Sequence, residues 1–262
     1  MMRLPRSRAL EPRAWARSQT AASSSGPCNV SRETLAADPS QWRPSLTTEE
    51  QATLEHAYAE AVRLGFLGPK ELERLWERHL DDAFGLAAIR RPQPGEHWAD
   101  LGSGAGLPGL PLAIAHRSTS FTLIDAQQRR LDWVTSTAAK LGLTNLAVVH
   151  ARLEDYGRSP ARESFDVATA RALGALPVVA ELGLPLLKIG GQLLIPRGQP
   201  DAVELEHVAA AGLQVGGRLD EVVPNPSSPI DRVGFVVIMA KIAATSPRFP
   251  RRSGVPARSP LG

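Results

Sequence analysis

A short apolar run, His97-Trp98-Ala99-Asp100-Leu101, breaks into Gly102-Ser103-Gly104-Ala105-Gly106-Leu107-Pro108-Gly109, and a second apolar run continues to Ala115. The first run reads as a strand and residues 107–116 read as a helix. Glycine lacks a Cβ and tolerates positive φ, so three alternating glycines make a tight turn with bare backbone open to a ligand. Asp100 adds a carboxylate beside that turn. Asp125 ends the next apolar run, Phe121-Thr122-Leu123-Ile124. An acidic side chain at the tip of a second strand is placed to bond a ribose hydroxyl pair. Together these features imply a nucleoside-binding site at the carboxyl edge of a parallel sheet.

Two ligands fit this pattern. Gly104, Gly106 and Gly109 spell G-x-G-x-x-G, the dinucleotide fingerprint, in which a helix N-terminus receives a pyrophosphate. The longer reading, Asp100 with Gly102, Gly104 and Gly106, suits the amino-acid and ribose parts of S-adenosylmethionine. Asp100 favours the second, because a carboxylate repels a pyrophosphate and attracts an ammonium or sulfonium.

The remainder of the chain supplies the frame. Thr47-Thr48-Glu49-Glu50 has capping-box form and predicts a helix to about Leu64. Gly65-Phe66-Leu67-Gly68 breaks it, and Pro69 suits the first turn of a second helix whose apolar stripe runs through Leu72, Leu75, Trp76, Leu80, Ala83, Phe84 and Ala87. Pro92-Gln93-Pro94-Gly95 then marks a boundary. Strands are expected at 97–101, 120–125, 146–149, 165–169 and 191–195, with helices at about 107–116, 127–142 and 175–188 between them. That alternation predicts a doubly wound parallel sheet. The apolar runs Leu213–Val223 and Val233–Ala240 lie too close for a crossover helix, which predicts an antiparallel hairpin. A parallel sheet closed by one reversed strand separates a methyltransferase architecture from an all-parallel dinucleotide fold. The expected domains are a basic extension over 1–44, a helical segment over 45–91, the sheet domain over 92–241 and a basic tail over 242–262.

The chain's 262 residues, 43% hydrophobic and 22% charged, suit one globular domain with extensions. No apolar run reaches membrane-spanning length, and a soluble, cytoplasmic, monomeric protein without bound metal is expected. One cysteine, Cys28, excludes an intrachain disulfide. The net charge of +3 hides an asymmetry. Residues 1–30 carry five arginines and one acid, and residues 241–262 carry five basic groups and no acid. Those ten basic groups and one acid leave 20 basic and 26 acidic groups of the chain's 30 and 27 in the middle, a net of −6. Basic ends can hold a polyanion such as nucleic acid. The Arg-, Ser- and Pro-rich start also reads as a disordered extension or a transit-like leader.

Several segments, taken in order, resemble the small-subunit ribosomal RNA guanine-N7 methyltransferase G family, known historically as glucose-inhibited division protein B. They are Gly65-Phe66-Leu67-Gly68-Pro69 with Leu75-Trp76-Glu77-Arg78-His79-Leu80, the loop Asp100 to Pro111 with its Leu-Pro-Gly-Leu-Pro end, Thr122-Leu123-Ile124-Asp125, Ala151-Arg152-Leu153-Glu154-Asp155, Ala170-Arg171-Ala172, Gly190-Gly191-Gln192-Leu193-Leu194 and Phe249-Pro250-Arg251-Arg252. The resemblance covers residues 50–260. It implies a Rossmann-like class I S-adenosylmethionine-dependent methyltransferase fold: a mainly parallel α/β sheet with a C-terminal antiparallel hairpin, preceded by an N-terminal helical cap.

The resemblance also implies site residues. Gly102, Leu107, Leu153, Glu154 and Arg171 are the implied cofactor contacts, with Asp125 for the ribose and Asp100, Gly104 and Gly106 completing the loop. Arg171 is the implied positioning residue at the reaction site. Arg78, His79, Arg197, Arg251 and Arg252 are the candidate contacts to 16S ribosomal RNA in the small subunit. Arg197 stands where the family typically has lysine. The implied reaction moves a methyl group from S-adenosylmethionine to a guanine N7. Two alternatives stay open at this point: a nicotinamide-dependent oxidoreductase, and a non-catalytic RNA-binding or ribosome-assembly protein on the same fold.

Overall fold

The computed structural model describes residues 43–228 and 233–262. The expectations for the basic extension up to residue 42, for Cys28 and for Pro229 lie outside the described residues.

Helix α1, Thr48–Arg63, starts where the capping box forms: the Glu50 N–H donates to Thr47 Oγ1 at 3.1 Å and the Thr47 N–H to Glu50 Oε2 at 2.8 Å. It buries Leu54, Ala57, Tyr58 and Ala61, one stripe at three- and four-residue spacing. The single helix expected from Pro69 is instead three pieces. A 3₁₀ turn spans Pro69–Glu71, a π turn spans Leu75–Leu80, and α2 runs from Asp81 to Ile89. Leu75 and Leu80 are both buried although five apart, and the Asp81 N–H bonds back to the Trp76 carbonyl. That i→i+5 bonding is how a π turn holds both leucines on the sheet side.

The sheet follows. Strand β1 is His97–Leu101, α3 Gly109–Ala115, β2 Ser120–Asp125, α4 Gln128–Lys140, β3 Leu146–His150, α5 Leu153–Tyr156, β4 Phe165–Thr169, α6 Leu176–Gly183 and β5 Leu187–Arg197. Helix α7, Ala202–Gln214, leads to β6 Gly217–Pro224, β7 Phe235–Lys241 and the short α8 Val255–Arg258. The strand order is β3-β2-β1-β4-β5-β7-β6, with β1 to β5 parallel and β7 antiparallel to both of its neighbours. One reversed strand between β5 and β6 is the arrangement expected of the methyltransferase fold and not of the all-parallel dinucleotide fold.

Several boundaries depart from expectation. The helix expected over 175–188 ends at Gly183 with a 3₁₀ turn over Leu184–Leu186, and the strand expected over 191–195 runs from Leu187 to Arg197. Helix α3 begins at Gly109, not Leu107, with Pro108 as its N-cap, and the Asp100 carboxylate accepts the Gly109 N–H, one of the helix's first unpaired donors, at 2.8 Å. Leu213 belongs to α7 and not to a strand. The capping box of Asp201 and Glu204 starts that helix, and Gly216 at φ +83 turns the chain into β6.

Side chains alternate across the sheet as strand geometry requires. Trp98, Leu123, Val167, Leu194 and Val236 join α1, α2, α3 and α4 in one core, and Ala99, Ile124, Ala168, Leu193 and Val237 join α6 and α7 in the other. Register then aligns the strand ends that matter. Asp100 pairs with Leu123 and Thr169, Asp125 with His150, and Thr169 with Leu194. Asp100, Asp125 and the residues after Thr169 therefore share one edge. The chain leaves β1 toward β2 and leaves β4 toward β5, so β1 and β4 flank the switch point where such sheets bind ligands.

Candidate active site

The glycine loop after β1 is held open by its own backbone. Gly102, Gly104 and Gly106 have φ of +66, +54 and +69, all in the left-handed region that favours glycine. The N–H groups of Gly102 and Ser103 both donate to the Ile124 carbonyl, at 2.9 and 3.1 Å, which stitches the loop to the end of β2. Asp125 completes the stitch: its Oδ2 accepts the Gly104 N–H and its Oδ1 the Gln127 N–H, each at 2.8 Å. Each of those oxygens has a second lone pair left for a ligand hydroxyl.

Asp100 is 1% exposed, and its Oδ1 has no hydrogen-bond partner. Burial pushes its carboxyl up to about 7, against the Gly109 N–H and the charge of Arg171, with the charge of Asp125 adding to the rise. Ser103 Oγ, Thr169 Oγ1 and Arg171 Nη1 are likewise buried without a partner. Buried polar atoms are almost always hydrogen-bonded, and each exception costs about 1–3 kcal/mol. Four orphaned polar atoms at the ends of β1 and β4, both donors and acceptors, fit a polar ligand bearing a cation and a carboxylate. The amino-acid part of S-adenosylmethionine is such a group.

Arg171 lies two residues beyond β4. Ala172 follows it with φ +54, a strained left-handed conformation for a residue with a Cβ. Arg171 Nη2 donates to His79 Nδ1 at 2.7 Å and to the Arg78 carbonyl at 3.2 Å, and it stands 3.8 Å from Asp82 Oδ2. His79 Nε2 reaches Glu71 Oε2 at 2.8 Å. His79 is 5% exposed. Burial first, then the Arg171 charge, lowers its pKa to about 4 despite Glu71. The imidazole is therefore neutral.

Beside Arg171 opens a cavity of about 470 Å³. Ala170 to Gly174 and Ile195 to Gly198 form its floor at the ends of β4 and β5, with Arg74, Glu77, Arg78 and Asp82 on one wall and Asn225, Ser228 and Phe235 on the other. Leu173 joins cavity and loop: a Cβ on Gly102 would lie 2.6 Å from its Cδ1. Asn225 is buried, with Nδ2 donating to the Asp82 carbonyl at 3.2 Å, so the β6–β7 connection is tied to α2.

The structure brings Asp100, Gly102, Gly104, Gly106 and Asp125 together at the sheet edge. Leu107 is buried against the α1 side of the core. Leu153 and Glu154 open α5 beyond β3. Glu154 Oε1 accepts the Gly254 N–H at 2.8 Å, so the C-terminal tail covers that end of the edge. Arg78 and Arg197 line the cavity, Arg197 with Nη2 on Glu204 Oε1 at 2.6 Å. Two of the candidate RNA contacts are engaged within the protein. His79 is buried and spends both ring nitrogens inside the protein. Arg251 spends its guanidinium on the buried Glu181. Arg252 is exposed on the tail, away from the cavity lining. Glu71, Asp82 and Asn225 escaped sequence reasoning, and so did Tyr58. Its buried hydroxyl has no partner and feels the charges of Arg171 and Asp100.

Among the described residues no helix is long and apolar enough to cross a membrane, and no three His, Cys, Asp or Glu side chains gather to hold a metal ion.

The family model for rRNA small subunit methyltransferase G matches residues 56–224. The chain belongs to the rRNA small subunit methyltransferase G family. Family members named ribosomal RNA small subunit methyltransferase G align along most of it. The one from Chloroflexus aggregans is 36% identical over 84% of this chain and 94% of its own length, and the one from Nostoc sp. 34% over 84% and 93%. The Deinococcus radiodurans member is 38% identical over 76% of this chain and 79% of its own. Among solved structures, a SAM dependent methyltransferase from Aquifex aeolicus aligns at TM-score 0.49 and 18% identity, over 75% of this chain and 100% of that one.

Proposed function

We propose that this chain transfers the methyl group of S-adenosylmethionine to the N7 of a guanine in 16S ribosomal RNA. Family membership supports the small-subunit RNA as acceptor, and the reversed strand between β5 and β6 disfavours a nicotinamide oxidoreductase. The observation that carries the reading is the set of orphaned polar atoms on Asp100, Ser103, Thr169 and Arg171, the last of which lines a cavity large enough for a nucleotide.

The residues fit the cofactor in named roles. Asp100 and the backbone of Gly102 to Gly106 take the amino-acid part, Asp125 the ribose, and Leu153 and Glu154 the adenine. Bound there, S-adenosylmethionine supplies an electrophilic methyl group on a sulfonium. Arg171 holds the boundary between that site and the cavity. Guanine N7 carries a lone pair and no proton, so no general base is required, and the neutral, fully hydrogen-bonded His79 is not placed to be one. The protein contributes position: fixing the base in line with the methyl group is worth roughly 7–11 kcal/mol in such reactions. Arg78 and Arg197 at the cavity face the RNA backbone. The chain is proposed to act as a cytoplasmic monomer.

The test is methyl transfer from labelled S-adenosylmethionine to small subunits lacking their 16S guanine-N7 mark, with naked 16S rRNA alongside. Label mapped to one guanine N7 supports the reading. Cofactor binding with no label on either substrate overturns the acceptor, and no cofactor binding overturns the site.

A further inference from the structure

A guanidinium has donors and no acceptor. The 2.7 Å contact from Arg171 Nη2 therefore requires His79 Nδ1 to be an unprotonated acceptor. The ring proton of the neutral imidazole must then sit on Nε2, where it donates to Glu71 Oε2 at 2.8 Å. Polarity runs one way along the chain: Arg171 gives to His79, and His79 gives to Glu71. The other hydrogen of Arg171 Nη2 goes to the Arg78 carbonyl at 3.2 Å, so this nitrogen is fully committed. Nη1 is the one left buried and unpartnered. The planar guanidinium is thereby held at one end with the other end available.

The groups that hold that nitrogen all come from outside the sheet: the Arg78 carbonyl and His79 Nδ1 directly, Asp82 Oδ2 at 3.8 Å, and Glu71 through His79. Glu71 ends the 3₁₀ turn, and Arg78 and His79 lie on the π turn Leu75–Leu80. An α-helix would present successive side chains at a different angle, and π turns recur where a functional side chain must be re-aimed. Glu71 also accepts from Arg78 Nη1 at 3.2 Å, so its two oxygens brace adjacent residues of the same turn.

We infer that Glu71 and His79 are positioning residues that fix the tautomer and orientation of an imidazole strut, which in turn holds Arg171 with its free N–H toward the methyl-transfer site. The inference rests on the reading of Arg171 as part of that site. It gives the segment before the sheet a role in the reaction: it supplies the buttress of a strand-end arginine. His79 touches neither RNA nor the reacting atoms in this arrangement.

Amide variants separate a strut from simple packing. His79→Asn places an amide oxygen where Nδ1 sits and keeps the acceptor for Arg171, whereas His79→Gln places its amide at the Nε2 position and loses it. The expected result is that His79→Gln and Glu71→Ala weaken S-adenosylmethionine binding in calorimetry and lower kcat for methyl transfer, each by ten- to a hundredfold, as misplacement of a positioned group does. In His79→Gln the KM for small subunits stays within twofold, and His79→Asn returns to within a few-fold of the parent. Equal impairment of the Asn and Gln variants, or unchanged cofactor affinity in all three, overturns the inference. So does a raised KM with kcat intact in His79→Gln, which would mark an RNA contact. Nitrogen-15 shifts of histidine-labelled parent protein provide an arm that needs no variant to fold: a neutral ring protonated on Nε2 is expected, and an Nδ1–H tautomer overturns the strut. Absence of methyl transfer by the parent would overturn the acceptor reading instead, and the calorimetric and nitrogen-15 arms would still decide this one.

Discussion

Arg251 grips Glu181 three times over. Its Nε donates to Oε1 at 2.8 Å and its Nη2 to Oε2 at 2.5 Å, and its backbone N–H donates to Oε1 at 2.8 Å. Glu181 is 0% exposed on α6, so a basic tail residue neutralises a charge inside the sheet-facing core. Removing one partner of such a pair strands the other. Arg251→Ala is expected to lower stability by about 3 kcal/mol, the low end for a broken buried pair because the backbone N–H remains. Thermal unfolding should show a midpoint lower on the order of 6–12 °C. The salt dependence of RNA binding should not change. A reduced slope with an unchanged midpoint would make Arg251 a phosphate contact after all.

Asp100 predicts a pH dependence with a definite sign. Its carboxyl is pushed up to about 7 in the folded protein, well above its unfolded value, so the folded state holds the proton more firmly. Its burial therefore weakens the apoprotein as pH rises from about 4 to 7, and nothing further changes above that. A bound ammonium favours the anion, so S-adenosylmethionine affinity should rise through the same window, by at most tenfold per unit, and level off above pH 7. Asp100→Asn keeps an acceptor for the Gly109 N–H and removes the titration. It is expected to flatten both profiles while weakening binding. A calorimetric pH series on both proteins checks this; parallel curves would exclude Asp100 from the cofactor site.

Much of this molecule was legible because the decisive features are local. The Asp100-to-Gly109 loop, Asp125 and the alternating apolar runs fix β1, α3, β2 and the parallel sheet through short-range rules. The reversed strand followed from a connection too short for a crossover. Non-local pairings were not legible. Nothing near Arg251 in the chain points to Glu181, 70 residues away. Nothing near His79 announces that Arg171, 92 residues on, takes its free nitrogen. A histidine beside an arginine on an apolar stripe looks like a surface pair until the π turn rotates it inward. Helix α7 was hidden for a different reason: Leu213 continues visually into the β6 run, and the boundary depends on Gly216.

The glycine loop offers a graded pair of substitutions. Gly104 has φ +54 and an added Cβ would meet only Arg130 Nη1, at an ordinary 3.6 Å among its side-chain neighbours. Gly102 has φ +66, and its Cβ would meet Leu173 Cδ1 at 2.6 Å. Gly104→Ala should cost about 1–2 kcal/mol, the backbone cost alone. Gly102→Ala should cost more and disturb the wall shared by loop and cavity. Both are expected to weaken S-adenosylmethionine binding, Gly102→Ala the more. Urea unfolding and calorimetry together decide: equal stability loss in the two proteins would mean that Leu173 yields to the added methyl at no cost.

Arg197 and Arg252 separate the two basic surfaces. Arg197 lines the cavity with its Nη2 on Glu204 and its Nε buried without a partner, whereas Arg252 is exposed on the tail. Removing one phosphate-binding charge from a nucleic-acid interface reduces the slope of log affinity against log salt by about 0.7–0.9. Arg197→Ala is expected to show that drop for 16S rRNA and a lower kcat, since it borders the cavity. Arg197→Lys should keep most of the slope and recover little of kcat, because an ammonium cannot reproduce the planar, forked donor set. Arg252→Ala should reduce the slope alone, with S-adenosylmethionine affinity and kcat unchanged. A full recovery of kcat by Arg197→Lys would reduce Arg197 to a point charge, and an unchanged slope in Arg252→Ala would leave the tail to its structural work on Glu181 and Glu154.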